Sequence, residues 1–319
     1  MPAPQRAPAH LTALRSRVYA APARAQIARA GRMHVVGFVY ALGAYLSWGL
    51  LVPVHFRLLG AFSPSYILAE RILWSILFVG GLVLIWRKRV RMPFPLTRRH
   101  GLLVVSALLI GVNWLLYLRA VDQGHLLDAS LGYYINPLMS VGLGAVVLGE
   151  RLRPAQLVAV GIATASVCLA VAWAGDLPAV SLALALTFAL YGLVRKVVGV
   201  DPMIGFLAET LVLAPAAMAF LWLTPDPIFP PDSRSLLLLA LTGITTAVPL
   251  IWFAAAAERL RLATLGLMQY LAPTCLLALS VLAYGEHVEP HRLAMFVLIW
   301  LALALYAVDA FRAGRAARG

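Results

Sequence analysis

The chain has 319 residues, of which 62% are apolar and 12% charged, and its mean hydropathy is +0.87. A soluble globular domain carries about 25% charged residues, so this composition excludes one and indicates a polytopic membrane protein. The formal charge of +13 would suggest nucleic acid in a soluble chain, but its distribution, described below, gives it a different origin.

Residues 1–33 are rich in Ala and Arg and contain no acidic residue, so they read as a basic cytoplasmic tail outside the fold. Met33 stands directly before the first apolar segment and would itself serve as an initiator. From there on, segments of the length needed to cross a ~30 Å hydrocarbon core follow one another. They run over 35–57, 64–86, 100–120, 127–149, 154–174, 178–197, 203–223, 236–257, 262–284 and 291–311. The two-residue alternation of a membrane β-barrel is absent, so the expected fold is an all-α polytopic membrane protein with ten transmembrane helices. Residues 312–319 form a short cytoplasmic tail.

A sequence pattern occurs twice. Ala129-Ser130-Leu131-Gly132, Pro137, Gly149-Glu150 and Pro154 are matched by Ala263-Thr264-Leu265-Gly266, Pro273, Gly285-Glu286 and Pro290, with equal spacing from Pro to Glu to Pro. Ala69-Glu70 likewise has a counterpart in Ala208-Glu209. The expected units are 34–175 and 176–311, five helices each. Five is odd, so the second unit enters the membrane in the opposite orientation, giving two inverted five-helix repeats.

The basic residues support this topology. With the N-terminus in the cytoplasm, 21 of the 26 Lys and Arg residues fall on the cytoplasmic side, Arg195 and Lys196 among them. Only Arg57, Arg119, Arg234 and Arg292 fall on the far side, and Arg71 lies within a helix. The basic excess is therefore topological, as the positive-inside rule requires, and no nucleic acid partner is implied.

An ionisable side chain in mid-membrane costs ~2.5–3.5 kcal/mol on insertion scales and is a functional candidate by default. Glu70 and Glu209 lie about seven residues from opposite faces, roughly 10 Å deep, as inversion-related carboxylates. Each suits binding of a cationic group or carriage of a coupling proton; equally, each suits neutralisation by a basic neighbour that staples helices together. Arg71 follows Glu70 and points about 100° away from it, so one of the two is expected to face a cavity. Arg119 and Asp122 read as an interfacial pair, and Glu150 and Glu286 as local structural residues at helix ends.

Aromatic and amide residues near mid-helix form a second group. Tyr66, Glu70 and Trp74 share one face of the second helix, as Asn113 and Tyr117 do in the third and Tyr133 and Asn136 in the fourth. With Trp48, Tyr191 and Gln269, they suit either a central substrate cavity or ordinary packing in a helix bundle. Pro137 and Pro273, being duplicated, are expected to mark points of movement.

HExxH, GxSxG and P-loop motifs are absent, so no enzymatic activity is expected. The histidines do not cluster, and no metal or other cofactor is implied. Cys168 and Cys275 lie in mid-helix as small apolar residues rather than a disulfide framework. A membrane-embedded enzyme acting on a lipid-linked substrate, or a non-transporting scaffold or sensor, is the alternative to a transporter.

Tyr45-Leu46-Ser47-Trp48-Gly49, Arg71-Ile72-Leu73-Trp74-Ser75, Gly111-Val112-Asn113-Trp114-Leu115-Leu116, Tyr133-Tyr134-Ile135-Asn136-Pro137-Leu138 and Tyr191-Gly192-Leu193-Val194-Arg195-Lys196 together resemble the RarD branch of the EamA-type transporters, in the drug/metabolite transporter superfamily. Thr245-Thr246-Ala247-Val248-Pro249-Leu250 and Arg259-Leu260-Arg261-Leu262 extend the likeness, which covers about 34–311. The resemblance implies ten helices, both termini in the cytoplasm of a bacterial plasma membrane protein, and export of small metabolites or drugs; the RarD name is tied to chloramphenicol sensitivity or resistance. Glu70 departs from it, standing where the resemblance leads one to expect His before the Arg-x-x-Trp run. The expectation is a secondary transporter (permease or exporter) working by alternating access on a small-molecule substrate within the lipid bilayer, with proton coupling as a hypothesis.

Overall fold

A computed structural model describes residues 33–86, 98–123, 126–175, 179–224, 232–285 and 287–316. Among these residues the chain is helical throughout, with short connections and no strand. The helices are α1 (Met33–Leu58), α2 (Pro64–Ile85), α3 (Arg98–Asp122), α4 (Leu126–Val146), α5 (Pro154–Ala174), α6 (Ala179–Val198), α7 (Pro202–Leu223) and α8 (Ser233–Arg259). They are followed by α9 (Leu262–Tyr284) and α10 (Pro290–Ala316). All but α4 are long and apolar enough to cross a membrane. α4 is less apolar because it carries Tyr133, Tyr134, Asn136 and Ser140, which its position among α3, α5, α6 and α9 accommodates.

Local chemistry fixes where the helices begin. Ser63 caps α2 by accepting the Tyr66 N–H at 3.2 Å, and Asp201 caps α7 by accepting the Met203 and Ile204 N–H groups at 3.0 and 3.2 Å. A proline follows each cap at the first helical position, where its missing N–H costs nothing. Gly149, at φ 65°, takes the left-handed conformation that ends α4 and releases Glu150 from the helix.

Two helices depart from regular winding, and they do so where they touch. α1 contains a π-helical turn over Ser47–Leu51, in which the Val52 N–H reaches back to the Ser47 carbonyl. Pro53 follows at once, and the widened turn accommodates its ring and missing donor. α9 is interrupted between Leu262–Met268 and Leu271–Tyr284, where Gln269, Tyr270 and Ala272 make tight i→i−3 bonds. Pro273 cannot donate to the Gln269 carbonyl, so the Ala272 N–H takes it at 3.0 Å. Gly49 of the π turn lies against this break: a Cβ there would stand 2.6 Å from the Ala272 carbonyl oxygen. The related Pro137 leaves α4 unbroken.

With lipid outside, helix association relies on close packing and interhelical hydrogen bonds rather than on exclusion of water. Small residues provide the closeness. A Cβ on Gly243 of α8 would lie 2.5 Å from the Trp74 carbonyl carbon of α2, and one on Gly266 of α9 would lie 2.8 Å from the Pro137 carbonyl oxygen of α4. The glycines of the duplicated motif thus seat repeat 1 against repeat 2. Gly132 does so with Ser181 of α6, at 3.1 Å to its carbonyl oxygen.

The pattern of helix pairs has a two-fold character. Exchanging each helix with the one five places along converts the α1–α9 contact into α6–α4, α1–α8 into α6–α3, and α2–α8 into α7–α3. The α2–α7, α4–α9 and α5–α10 contacts map onto themselves. The pairing departs from this at two places: α4 packs against α5 without a matching close α9–α10 contact, and the other departure lies at α6. α6 packs against both α8 and α9, whereas the corresponding part of α1, Ser47–Leu58, packs closely against neither α3 nor α4.

Candidate functional site: a cleft and a closed end

The departure at α1 and α6 opens one end of the bundle, the end at which α1 and α3 finish and α2 and α4 start. Tyr133 of α4, near the start of that helix, is 50% exposed. The Tyr117 ring of α3 stands 6.2 Å from it. Arg71 of α2 lays its guanidinium over the Trp114 ring at 4.0 Å, with Phe56 of α1 at 6.0 Å, and lies within electrostatic range of both tyrosines. The Arg71 Nε is buried without a hydrogen-bond partner, and among the described residues Arg71 forms no ion pair. Arg71 is therefore the member of the Glu70–Arg71 pair that faces the cleft.

Glu70 turns elsewhere. It accepts the Trp74 Nε1–H at 2.8 Å and is hydrogen-bonded by Tyr66, so the three residues expected on one helix face do meet. Among the described residues its partners are both on its own helix, and none is basic.

Beneath the cleft, Tyr45 and Trp48 of α1, Phe188 and Tyr191 of α6 and Phe253 of α8 form a continuous aromatic cluster. Trp48 lies 5.7 Å from both phenylalanines, and Tyr191 stacks on Phe253 at 6.0 Å. The Tyr45 hydroxyl donates to the Leu265 carbonyl at 2.8 Å, which ties α1 to the first part of α9.

The opposite end is closed by polar bonds between the repeats and within them. Glu209 of α7 accepts Arg195 Nη1 at 3.2 Å, the Ser106 hydroxyl at 2.5 Å and the Tyr191 hydroxyl at 3.3 Å, joining α3, α6 and α7. Arg195, counted from sequence among the basic residues of the cytoplasmic side, has a side chain that is 0% exposed. The topological count could not separate it from Lys196, because both follow the end of an apolar run. Gly205 makes its space, for a Cβ there would lie 2.1 Å from Arg195 Nη1. Lys196 Nζ donates to the Ala257 carbonyl at 3.1 Å and to that of Leu260, capping the end of α8.

Glu150 accepts the backbone N–H groups of Leu262 and Ala263 at 2.7 and 3.0 Å. The helix end carrying the duplicated motif in repeat 1 is thus an N-terminal cap for α9 in repeat 2, where a carboxylate satisfies orphan donors and meets the positive end of the helix dipole. Glu286 lies outside the described residues, and so does the side chain of Asp122, which leaves the expected pairing with an exposed Arg119 undescribed.

The remaining predicted residues divide by their bonds. Asn113 donates to the Leu184 carbonyl and the Thr187 hydroxyl, both at 2.9 Å, and Asn136 donates to the Ala185 carbonyl at 3.0 Å. Both amides fasten α3 and α4 to α6. Gln269 is buried at the break in α9. His55 bonds to Thr245 and the Leu238 carbonyl, and no cluster able to hold a metal occurs among the described residues.

The EamA-like transporter family matches the chain twice, over residues 35–172 and 177–308. The chain belongs to this family. RarD of Escherichia coli (strain K12) is 42% identical over 281 residues, covering 86% of this chain and 94% of the relative. An uncharacterized transporter of Vibrio cholerae serotype O1 (strain ATCC 39315 / El Tor Inaba N16961) is 43% identical over 289 residues, covering 88% and 95%. A solved crystal structure superposes with a TM-score of 0.68 at 22% identity, over 88% of this chain and 98% of that one, which carries the fold alone. This EamA-like protein is therefore a multi-pass membrane transporter of the RarD type, and its cleft, aromatic floor and closed end are the features in which a transport path has to be sought.

Proposed function

We propose that this protein is a secondary transporter of the bacterial plasma membrane that moves a small organic solute by alternating access, its inverted halves being residues 34–175 and 176–311 and both termini lying in the cytoplasm. The observation that carries the proposal is the break in the two-fold helix pairing at α1 and α6. Packing of α6 on α8 and α9 closes one end, and the absence of close packing of Ser47–Leu58 of α1 on α3 and α4 opens the other. In a duplicated bundle the two arrangements are images of one another, so exchanging them moves the opening to the other face. The π turn of α1 and the break in α9 supply the places where the backbone changes.

Short connections alternate the helix directions, which puts the cleft on the face opposite the chain termini, the external face under the positive-inside rule. Glu209 serves as part of the closed end. Glu70, hydrogen-bonded but without a basic partner among the described residues, is the carboxylate suited to carry a coupling proton.

Cysteine accessibility tests the reading in intact cells, in a background carrying Cys168→Ser and Cys275→Ala. Asp232→Cys and Tyr133→Cys are expected to react with a membrane-impermeant thiol reagent, and Arg151→Cys only after permeabilisation. Labelling of Arg151→Cys alone from outside, or equal labelling of all three, would overturn the topology and the outward opening.

A further inference from the structure

We infer that Arg71, with Trp114, Tyr117 and Tyr133, forms a binding site for an organic carboxylate that carries a flat apolar body. The inference rests on the transporter reading and names the substrate class of the same cleft.

The starting point is an imbalance between two intramembrane arginines. Arg195 is fully enclosed and has its counter-ion, Glu209, at 3.2 Å. Arg71 lies eight residues beyond the cap Ser63, about 12 Å along α2, and has no carboxylate partner among the described residues. Glu70 is adjacent in sequence but engaged with Trp74 and Tyr66 on another face of the helix. A guanidinium stays charged at any physiological pH, so a lone one in this setting is costly.

What the protein supplies to Arg71 is aromatic. The Arg71 Cζ lies over the Trp114 ring, 4.0 Å from its centroid, which stabilises the cation. That contact engages no N–H group as a donor, and the buried Nε has no acceptor. The in-plane edge of a guanidinium is the edge that a carboxylate meets with two parallel hydrogen bonds. A single uncompensated positive charge matches one carboxylate better than a dianion. Tyr133, half exposed, and Tyr117, 6.2 Å from it, offer ring faces for a flat body and hydroxyls at its margin.

The test uses the purified full chain in a neutral detergent, with 3-phenylpropionate and 3-phenylpropionamide as probes of equal shape and different charge. The carboxylate is expected to raise the unfolding temperature saturably and to bind at least about tenfold more tightly than the amide, as a charge-assisted hydrogen bond requires. Arg71→Gln should abolish the difference, and Arg71→Lys should retain part of it. Equal binding of the two probes by the wild-type chain, which needs no variant to fold, would overturn the inference. So would carboxylate binding unchanged in Arg71→Gln, or loss of carboxylate binding to added phosphatidylglycerol at stoichiometric amounts, which would assign Arg71 to a lipid headgroup. Failure of any of these leaves the cysteine accessibility pattern untouched, so the anion site and the transporter reading fall separately.

Discussion

Arg195 and Glu209 meet at 3.2 Å with 0% and 1% of their side chains exposed, on α6, which ends at Val198, and α7, which begins at Pro202. The pair is fed by two further donors, Ser106 and Tyr191, so the closed end of the bundle is held by a polar network rather than by apolar packing alone. Removing one member strands the other.

Glu209→Gln and Arg195→Met are each expected to destabilise the protein, by about 3–5 kcal/mol for the costlier of the two. Glu209→Gln should be that one, because a stranded carboxyl sheds its charge by taking up a proton and a guanidinium does not. The double variant should recover much of the loss. Gly205→Ala should act like Arg195→Met, since its Cβ would occupy a point 2.1 Å from Nη1. Thermal unfolding in detergent, read as a double-mutant cycle, checks this, and additive losses would contradict it.

Glu150→Ala should cost about 1–2 kcal/mol, the range for losing an N-terminal cap, because it removes both acceptors from Leu262 and Ala263. Glu150→Gln keeps one acceptor oxygen and should fall between. Faster hydrogen exchange at those two amides is the local readout. Unchanged protection in Glu150→Ala would show that the bonds carry no stability.

Glu70→Gln should leave the fold intact, because the amide oxygen still accepts the Trp74 N–H. If Glu70 carries the coupling proton, transport by this variant in reconstituted vesicles becomes indifferent to an imposed pH gradient. Full pH-dependent transport by Glu70→Gln would refute the coupling role, whatever its effect on rate.

Asp232 caps α8 in the aqueous phase, and the hydrogen bonds it accepts from Ser235 hold its carboxyl below the usual aspartate value. A depressed folded value means that the cap is in full force above the ordinary pKa of ~3.9 and is lost as pH falls through the lower folded value. Protection of the Ser235 amide should therefore decline only in strong acid, and Asp232→Asn should flatten that dependence. A decline centred near neutrality would identify a different group.

The sequence determined the helices, because a bilayer leaves little choice: some twenty apolar residues without an internal helix must still satisfy every backbone donor and acceptor. Expected and observed spans accordingly differ only at their ends, as in α8, expected over 236–257 and found over Ser233–Arg259. The duplicated motif and the Tyr66–Glu70–Trp74 face were also local in origin and legible for that reason, whereas Glu150, read as a local structural residue, caps a helix of the other repeat. What the tertiary structure decided was which polar group meets which. Arg195 and Lys196 look alike at a helix end, yet only the space left by Gly205 draws Arg195 inward to Glu209. Asn113 and Asn136 share spacings with the cleft tyrosines but bond to backbone of α6, and Pro137 and Pro273 are copies of one another although only α9 breaks. Such outcomes depend on the neighbour across a helix interface, and in a bundle with nearly two-fold pairing the two copies of a residue meet different neighbours wherever one half is closed and the other open.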